Sequence, residues 1–154
     1  MILYHGSNTD FDTIELSKCL PNKDFGQGFY LTPSRYDALQ RAKDKCRKEH
    51  EGVPTVLRYK WDETNPQKFS VKRFEKIDEE WVMFVFNNRK RKGKKHKFDI
   101  VIGPVADDGV VLSLQLFENN YIDMKALIER LTYTRPSIQY CFCTQRAIDQ
   151  LQRV

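Results

Sequence analysis

Three short segments of the chain carry residue types that could bind a ligand and take part in its chemistry. Residues 4–7 read Tyr-His-Gly-Ser, which sets the imidazole of His5 beside a glycine that a ligand can approach closely. Residues 26–32 place the ring of Tyr30 after two glycines, and Gln139 opens the apolar run Gln-Tyr-Cys-Phe. Imidazole and amide groups can each donate and accept hydrogen bonds, and a tyrosine ring offers a flat surface on which a ligand can stack. Each segment also has a structural interpretation, in which the histidine packs in the interior and the glutamine faces solvent.

Taken together and in this order, the segments resemble the His–Tyr–Glu branch of the ADP-ribosyltransferase superfamily, which includes diphtheria-type toxins and the poly(ADP-ribose) polymerases. That branch opens with Tyr or Trp before His-Gly and Ser or Thr, as at residues 4–7. Its second motif, Gly-Phe-Tyr followed by a helix, is matched from residue 28 onward, and Gln139 stands where its third motif has Glu. The chain also resembles an uncharacterised bacterial family of that superfamily, DUF3990, at residues 24–31, 101–105 and 139–142.

The resemblance implies a split, mostly antiparallel sheet that cradles NAD in a cleft, with helices on its flanks. In that arrangement His5 bonds a ribose hydroxyl, Gly6 holds the nicotinamide carboxamide through its backbone, and Ser7 belongs to the same binding segment. Tyr30 stacks on the nicotinamide ring. Gln139 takes the place of the Glu that stabilises the positively charged sugar of the transition state.

Two departures from the family pattern affect the expected chemistry. Gln139 can donate and accept hydrogen bonds but carries no negative charge, so we expect a reaction slower by roughly 10²–10³. The family commonly has a second stacking tyrosine eleven residues after the first, and here that position is Arg41, whose guanidinium can stack but is not aromatic. Tyr36 lies nearer and could contribute, although its helical spacing with Leu39 favours core packing.

These features favour an enzyme, a mono-ADP-ribosyltransferase that uses NAD as substrate and modifies a protein or nucleic-acid acceptor. Such an enzyme could be the toxin of a bacterial toxin–antitoxin pair or an antiphage effector, so a cognate antitoxin is a candidate partner. The alternatives are a catalytically weak or inactive module that binds NAD or ADP-ribose, an NAD glycohydrolase, and a nucleic-acid-associated protein. Release of nicotinamide from NAD separates the enzyme from the binding module.

The net charge of +5 originates in one segment of the chain. Residues 89–97, here named the basic segment, contain seven Lys or Arg and no acid, which leaves −2 for the other 145 residues. Such a segment could attract phosphate backbones or acidic partners, or it could be an ordinary solvated loop.

Length and composition restrict the class of protein further. A chain of 154 residues suggests one domain, residues 1–154, and a hydrophobic content of 40% excludes disorder as its main state. No apolar run reaches the roughly 20 residues of a membrane span, and the N-terminus lacks a signal-peptide pattern, so we expect no membrane partner and a cytoplasmic location. Cys141 and Cys143 share a strand face without any Cys-x-x-Cys pair, so we expect reduced, buried thiols and no bound metal.

The elements that must position these residues alternate between strands and helices. Predicted strands cover residues 2–4, 25–32, 55–61, about 69–71, 98–102 and 139–143. Predicted helices cover residues 33–50, a segment capped by Asp78, 108–117, 123–133 and 144–151. Thr32 is the expected N-cap of the first helix, with Pro33 at its first position. The order predicts an α+β fold with a mostly antiparallel, split sheet.

Overall fold

The computed structural model describes residues 1–64, 68–90, 92–106, 108–132 and 137–154. The strands in these ranges are β1 Ile2–Ser7, β2 Phe29–Leu31, β3 Thr55–Lys60, β4 Val71–Arg73, β5 Ile100–Pro104, β6 Ile138–Phe142 and β7 Gln152–Arg153. The α-helices are α1 Arg35–Glu49, α2 Glu79–Arg89, α3 Asp108–Glu118, α4 Met124–Thr132 and α5 Gln145–Ile148. The predicted α+β class is therefore confirmed.

The strands form two sheets, one in the order β1-β3-β7 and the other in the order β2-β6-β5-β4. Every pairing is antiparallel except that of β4 with β5, so the second sheet is mixed. The sheets meet at one antiparallel bridge, in which Tyr4 and Thr32 exchange both backbone hydrogen bonds at 2.8 and 2.9 Å. This bridge brings the predicted histidine segment beside the predicted tyrosine segment.

Two hydrophobic cores lie on opposite faces of the second sheet. Alternation along a strand sends successive side chains to opposite faces. In β6, Tyr140 and Phe142 accordingly pack with the first sheet, whereas Cys141 packs with the helices α2, α3 and α4. Trp81 of α2 is fully buried in that helical core. Helices and the first sheet thus cover both faces of β6.

Helix α1 begins two residues later than the sequence predicts, and the expected N-cap is wrong. Ser34 is the N-cap, and its hydroxyl accepts a hydrogen bond from the backbone N–H of Asp37 at 3.1 Å. Thr32 cannot adopt that role because its backbone groups belong to the bridge with Tyr4. Its hydroxyl instead accepts a hydrogen bond from the N–H of Ser34 at 3.2 Å.

The C-terminal segment also differs from the prediction. Helix α5 ends at Ile148 rather than at Leu151, and residues 152–153 pair with β3 as a strand that the sequence analysis missed. Thr144 does precede this helix, but its hydroxyl donates to Asp99 at 2.8 Å instead of capping the helix. Pairing with β3 supplies hydrogen bonds that a longer helix would have formed internally.

Among the described residues, no helix combines the length and the apolar composition that crossing a membrane requires.

Candidate functional site

A cleft of about 360 Å³ opens where β1, the end of β2 and α1 meet. Residues from all three elements and from the loop before β2 line it: Tyr4, His5, Gly6, Lys23, Tyr30, Leu31, Thr32, Arg41, Asp44, Lys45 and Lys48. The two sequence segments that carry His5 and Tyr30 therefore share one cleft.

His5 is fixed in the cleft by its backbone partner and by aromatic neighbours. Its Nδ1 lies 2.8 Å from the carbonyl oxygen of Tyr30, and its ring stacks on Phe29 with centroids 4.4 Å apart. A carbonyl oxygen only accepts hydrogen bonds, so Nδ1 carries the proton and Nε2 is an acceptor. Burial, together with the charges of Lys45 and Arg41, lowers the pKa of His5 to about 4. The imidazole is therefore neutral near pH 7.

Tyr30 borders the cleft, and its hydroxyl is committed to the preceding loop. The hydroxyl donates to the carbonyl oxygen of Gly26 at 2.7 Å and accepts from the N–H of Phe25 at 3.0 Å. Gly26 has φ of +86°, a left-handed conformation that glycine adopts without steric cost. Burial raises the pKa of the Tyr30 hydroxyl well above its usual value. The part of Tyr30 that remains for a ligand is its ring.

Gly6 allows α1 to lie directly on β1. A Cβ atom at this position would overlap the carbonyl oxygen of Ala38, and both Ala38 and Ala42 are fully buried. Tyr4 directs its N–H and C=O toward Thr32, and residues two apart on a strand direct these groups to the same side. Gly6 therefore presents an N–H donor and a C=O acceptor on the cleft side of β1.

The charge of the cleft is strongly positive. Lys23, Arg41, Lys45 and Lys48 line it together with a single acid among the described lining residues, Asp44. Arg41, Lys45 and Lys48 follow each other at spacings of four and three, which places them on one face of α1. A ligand with phosphate groups matches this arrangement.

The structure places two other predicted binding residues outside the cleft lining. Ser7 is 1% exposed, and its hydroxyl accepts a hydrogen bond from the N–H of Thr9 at 3.3 Å. Tyr36 is 69% exposed on α1 and belongs neither to the cleft nor to a core, so the expectation that it packs in the core is wrong.

Gln139, the predicted catalytic residue, is buried rather than solvent-facing. It is 3% exposed and shares a strand face with Cys141, which looks toward the helical core. Its Nε2 donates to the carbonyl oxygen of Pro104 at 3.5 Å, and that same oxygen accepts a hydrogen bond from Nε1 of Trp81 at 3.2 Å. Gln139 immediately precedes Tyr140, the residue that pairs with Leu31, but it does not belong to the cleft lining.

Four charged residues of the cleft were not predicted from the sequence: Lys23, Asp44, Lys45 and Lys48. Three of them lie on α1, where the helical spacing from Arg41 would have found Lys45 and Lys48. Lys23 had no comparable signal, because it lies in the long loop before β2.

Comparison with protein families gives one match over nearly the whole chain. The model of the family described as "Protein of unknown function (DUF3990)" matches residues 1–153. The search of curated proteins and the search of solved structures gave no match.

Proposed function

The chain belongs to the DUF3990 family, and we propose that it is an NAD-dependent ADP-ribosyltransferase acting on a macromolecular acceptor, a protein or a nucleic acid. One observation carries the proposal: His5 and Tyr30, which are 25 residues apart in the sequence, meet in a positively charged cleft. The resemblance described above assigns both residues to the NAD site.

The donor and acceptor groups of the cleft complement the parts of NAD. Nε2 of His5 is an acceptor for a ribose hydroxyl. The N–H and C=O of Gly6 match the oxygen and the amino group of a carboxamide, and the Tyr30 ring offers a flat surface for nicotinamide. Arg41 and Lys45 supply positive charge for the diphosphate.

In the proposed reaction the bond between C1′ of the ribose and the nicotinamide nitrogen breaks, and nicotinamide leaves as a neutral molecule with the bonding electron pair. A nucleophile of the acceptor then bonds to C1′ and releases its proton to solvent. Positive charge develops on the sugar before the new bond forms, so a nearby negative charge would lower the barrier. Gln139 provides no such charge, which is why we expect slow turnover.

A second candidate function is a module that binds NAD or ADP-ribose with little or no chemistry. The position of Gln139 favours it, because the residue that would act on the sugar is buried and bonded to Pro104 instead of lining the cleft. Nicotinamide release from NAD distinguishes the two functions.

The basic segment supports a polyanionic acceptor such as a nucleic acid. It contacts the loop that leads to Tyr30: Arg89 pairs with Asp24 at 2.6 Å, and Nζ of Lys95 donates to Asn22 at 3.0 Å. Lys90, Lys92 and Lys94 are exposed, whereas Arg91 lies outside the described residues. Positive charge thus continues from the cleft toward an adjoining surface.

The test of this proposal measures two properties of the purified protein: its thermal stabilisation by NAD and its release of labelled nicotinamide from NAD. Mass spectrometry of proteins and nucleic acids from a cell extract then identifies the molecules that carry ADP-ribose. A ligand at a hundredfold excess over its Kd stabilises the native state by about 2.7 kcal/mol. We expect stabilisation that His5→Ala removes and that His50→Asn retains, since His50 is exposed and outside the cleft lining. Stabilisation without nicotinamide release favours the binding module. No stabilisation by millimolar NAD contradicts both functions.

A further inference from the structure

Two thiols lie together behind Tyr30. Cys141 pairs with Tyr30 in the β2–β6 register, and Cys143 follows the last residue of β6. The side chains of residues two apart on a strand point to the same face, and here the two Sγ atoms are 3.2 Å apart. The sequence predicts reduced, buried thiols here, and the short distance between them adds the capacity to react with each other.

The two thiols differ in exposure and in surroundings. Cys141 is fully buried and packs against the backbone of Gly28. Cys143 is half-buried, and its Sγ lies 3.7 Å from the carbonyl oxygen of Phe25, which also accepts a hydrogen bond from Nε2 of His96 at 2.7 Å. One thiol can thus meet a small polar reagent, while the other lies directly beneath it.

The more exposed thiol, Cys143, is also the more acidic of the two. Hydrogen bonding with Cys141 lowers the pKa of Cys143, and the neighbouring His96 lowers it further against the effect of burial. Burial raises the pKa of Cys141 well above its usual value. The thiolate is the nucleophilic form of cysteine, so Cys143 is the attacking group and Cys141 keeps its proton.

We propose that Cys141 and Cys143 form a dithiol site that hydrogen peroxide oxidises to a disulfide. The Cys143 thiolate attacks one peroxide oxygen, the O–O bond breaks, and Cys143 becomes a sulfenic acid as hydroxide leaves and takes a proton from solvent. Cys141 then attacks the Cys143 sulfur, the S–O bond breaks, and the departing oxygen leaves as water with the thiol proton. Two thiols and one peroxide give one disulfide and two waters.

Disulfide formation changes the contacts that hold Tyr30 at the edge of the cleft. Bond formation shortens the Sγ–Sγ distance from 3.2 Å to about 2 Å, so the sulfur atoms must shift. Cys141 contacts Gly28 and the Tyr30 hydroxyl, and Cys143 contacts the Phe25 carbonyl, so these contacts change with the shift. Phe25 donates to the Tyr30 hydroxyl, so the oxidised protein should hold the Tyr30 ring less firmly. We expect severalfold weaker NAD binding after oxidation, a consequence that rests on the proposed function.

Mass spectrometry of the folded protein treated with peroxide tests the site without reference to NAD. Trypsin leaves both thiols in one peptide, residues 131–146, and we expect this peptide to lose about 2 Da and to regain it with dithiothreitol. Cys19 and Cys46, which are outside this peptide, should stay reduced under the same treatment. An unchanged peptide, or equal oxidation of all four cysteines, overturns the proposal.

Two variants in a background with Cys19→Ser and Cys46→Ser establish the order of attack. Cys141→Ser should stop at a sulfenic acid, a gain of about 16 Da that dimedone traps, whereas Cys143→Ser should not react on that timescale. A sulfenic acid in Cys143→Ser would contradict the assigned roles.

A disulfide in a protein that does not bind NAD would support the dithiol site and reject the proposed function. Unchanged NAD affinity after full oxidation would reject only the link to the cleft.

Discussion

The end of β1 and the start of β6 differ in how they present a polar side chain. At the end of β1, His5 bonds the backbone of Tyr30 through one ring nitrogen and has an acceptor nitrogen left for a ligand. At the start of β6, Gln139 is buried on the helical side of its strand and bonds the carbonyl oxygen of Pro104. The first arrangement leaves a polar ring atom at the cleft, whereas the second buries the polar side chain against the helical core.

This difference between His5 and Gln139 means that the proposed site has groups suited to binding NAD but, among the described residues of its lining, lacks the group expected for catalysis. Groups that would hold NAD lie in the cleft, and backbone hydrogen bonds fix them before any ligand arrives, which reduces the cost of ordering them on binding. The group that would act on the sugar is outside the cleft lining and has no charge. Binding is therefore the stronger half of the proposed function.

We expect the largest change in protein stability when a negative charge is introduced at position 139. In Gln139→Glu a buried carboxylate faces the carbonyl oxygen of Pro104, which cannot donate to it, so we expect a loss of about 2 kcal/mol of stability at pH 7. Burial raises the pKa of such a carboxyl in the folded state. The loss should then shrink as the pH falls toward about 4, because the protonated group can donate to Pro104. Denaturant unfolding at several pH values measures it.

A neutral control and an activity measurement decide what Gln139 does. Gln139→Met keeps the length of the side chain without a charge, so it should be more stable than Gln139→Glu at pH 7. Faster nicotinamide release by Gln139→Glu would show instead that the side chain reaches the sugar, and the contrast with His5 would no longer hold.

The second effect tests the charge of the cleft with a matched pair of helix substitutions. Lys45→Glu reverses a charge that lines the cleft, and we expect about tenfold weaker NAD binding, equivalent to about 1.4 kcal/mol. Lys43→Glu makes the same change two positions away on α1, at an exposed residue outside the lining. Equal losses in the two variants, measured by calorimetry, would show a general effect of net charge and would remove the cleft from the argument.

Much of this arrangement follows from sequence patterns, and the failures have identifiable causes. The resemblance assigns His5 and Tyr30 to one site, and the order of strands and helices predicts the α+β class that the structure has. The N-cap at Thr32 failed because a bridge between two sheets uses its backbone, and local capping rules contain no information on such contacts. Strand β7 has two residues, too few for a periodic signal.

The burial of Gln139 could have been inferred from the alternation of side chains between the two faces of a strand. Residues 139 and 141 share a strand face, and Cys141 was already expected to be buried. The sequence does not indicate which elements cover this face of β6. The packing of α2, α3 and α4 against it is a tertiary contact between segments far apart in the chain.

The third effect separates the hydroxyl of Tyr30 from its ring. Tyr30→Phe removes the bonds to Gly26 and Phe25, so we expect a loss of about 1 kcal/mol of stability, or a Tm lower by about 2–4 °C. NAD affinity should fall no more than severalfold, because the ring remains although its hydroxyl bonds are lost. Tyr36→Phe is the matched control at an exposed position and should leave the Tm unchanged. A larger loss of NAD affinity than of stability would assign the hydroxyl to the ligand.

The smallest effect is an expected absence of pH dependence in NAD binding. A histidine with its ordinary pKa of about 6.5 would become largely protonated by pH 5.5, and its Nε2 would lose the ability to accept a hydrogen bond. The pKa of His5 is lowered to about 4, first by burial and then by the charges of Lys45 and Arg41, so Nε2 stays an acceptor throughout this range. We therefore expect the NAD dissociation constant to change less than about twofold between pH 8 and pH 5.5.

The stability of the free protein should show the same depressed pKa with a defined sign. Between pH 6.5 and about 4 the unfolded chain binds a proton at His5 and the folded protein does not, so stability falls as the pH falls through this window. His5→Ala removes that contribution, and its stability should decline less steeply with acidification than that of the unmodified protein. A binding curve with a midpoint near pH 6.5, or parallel stability profiles for the two proteins, would mean that His5 is hydrated rather than held neutral in the cleft. The tautomer assigned from its bond to Tyr30 would then no longer describe the group that meets the ribose.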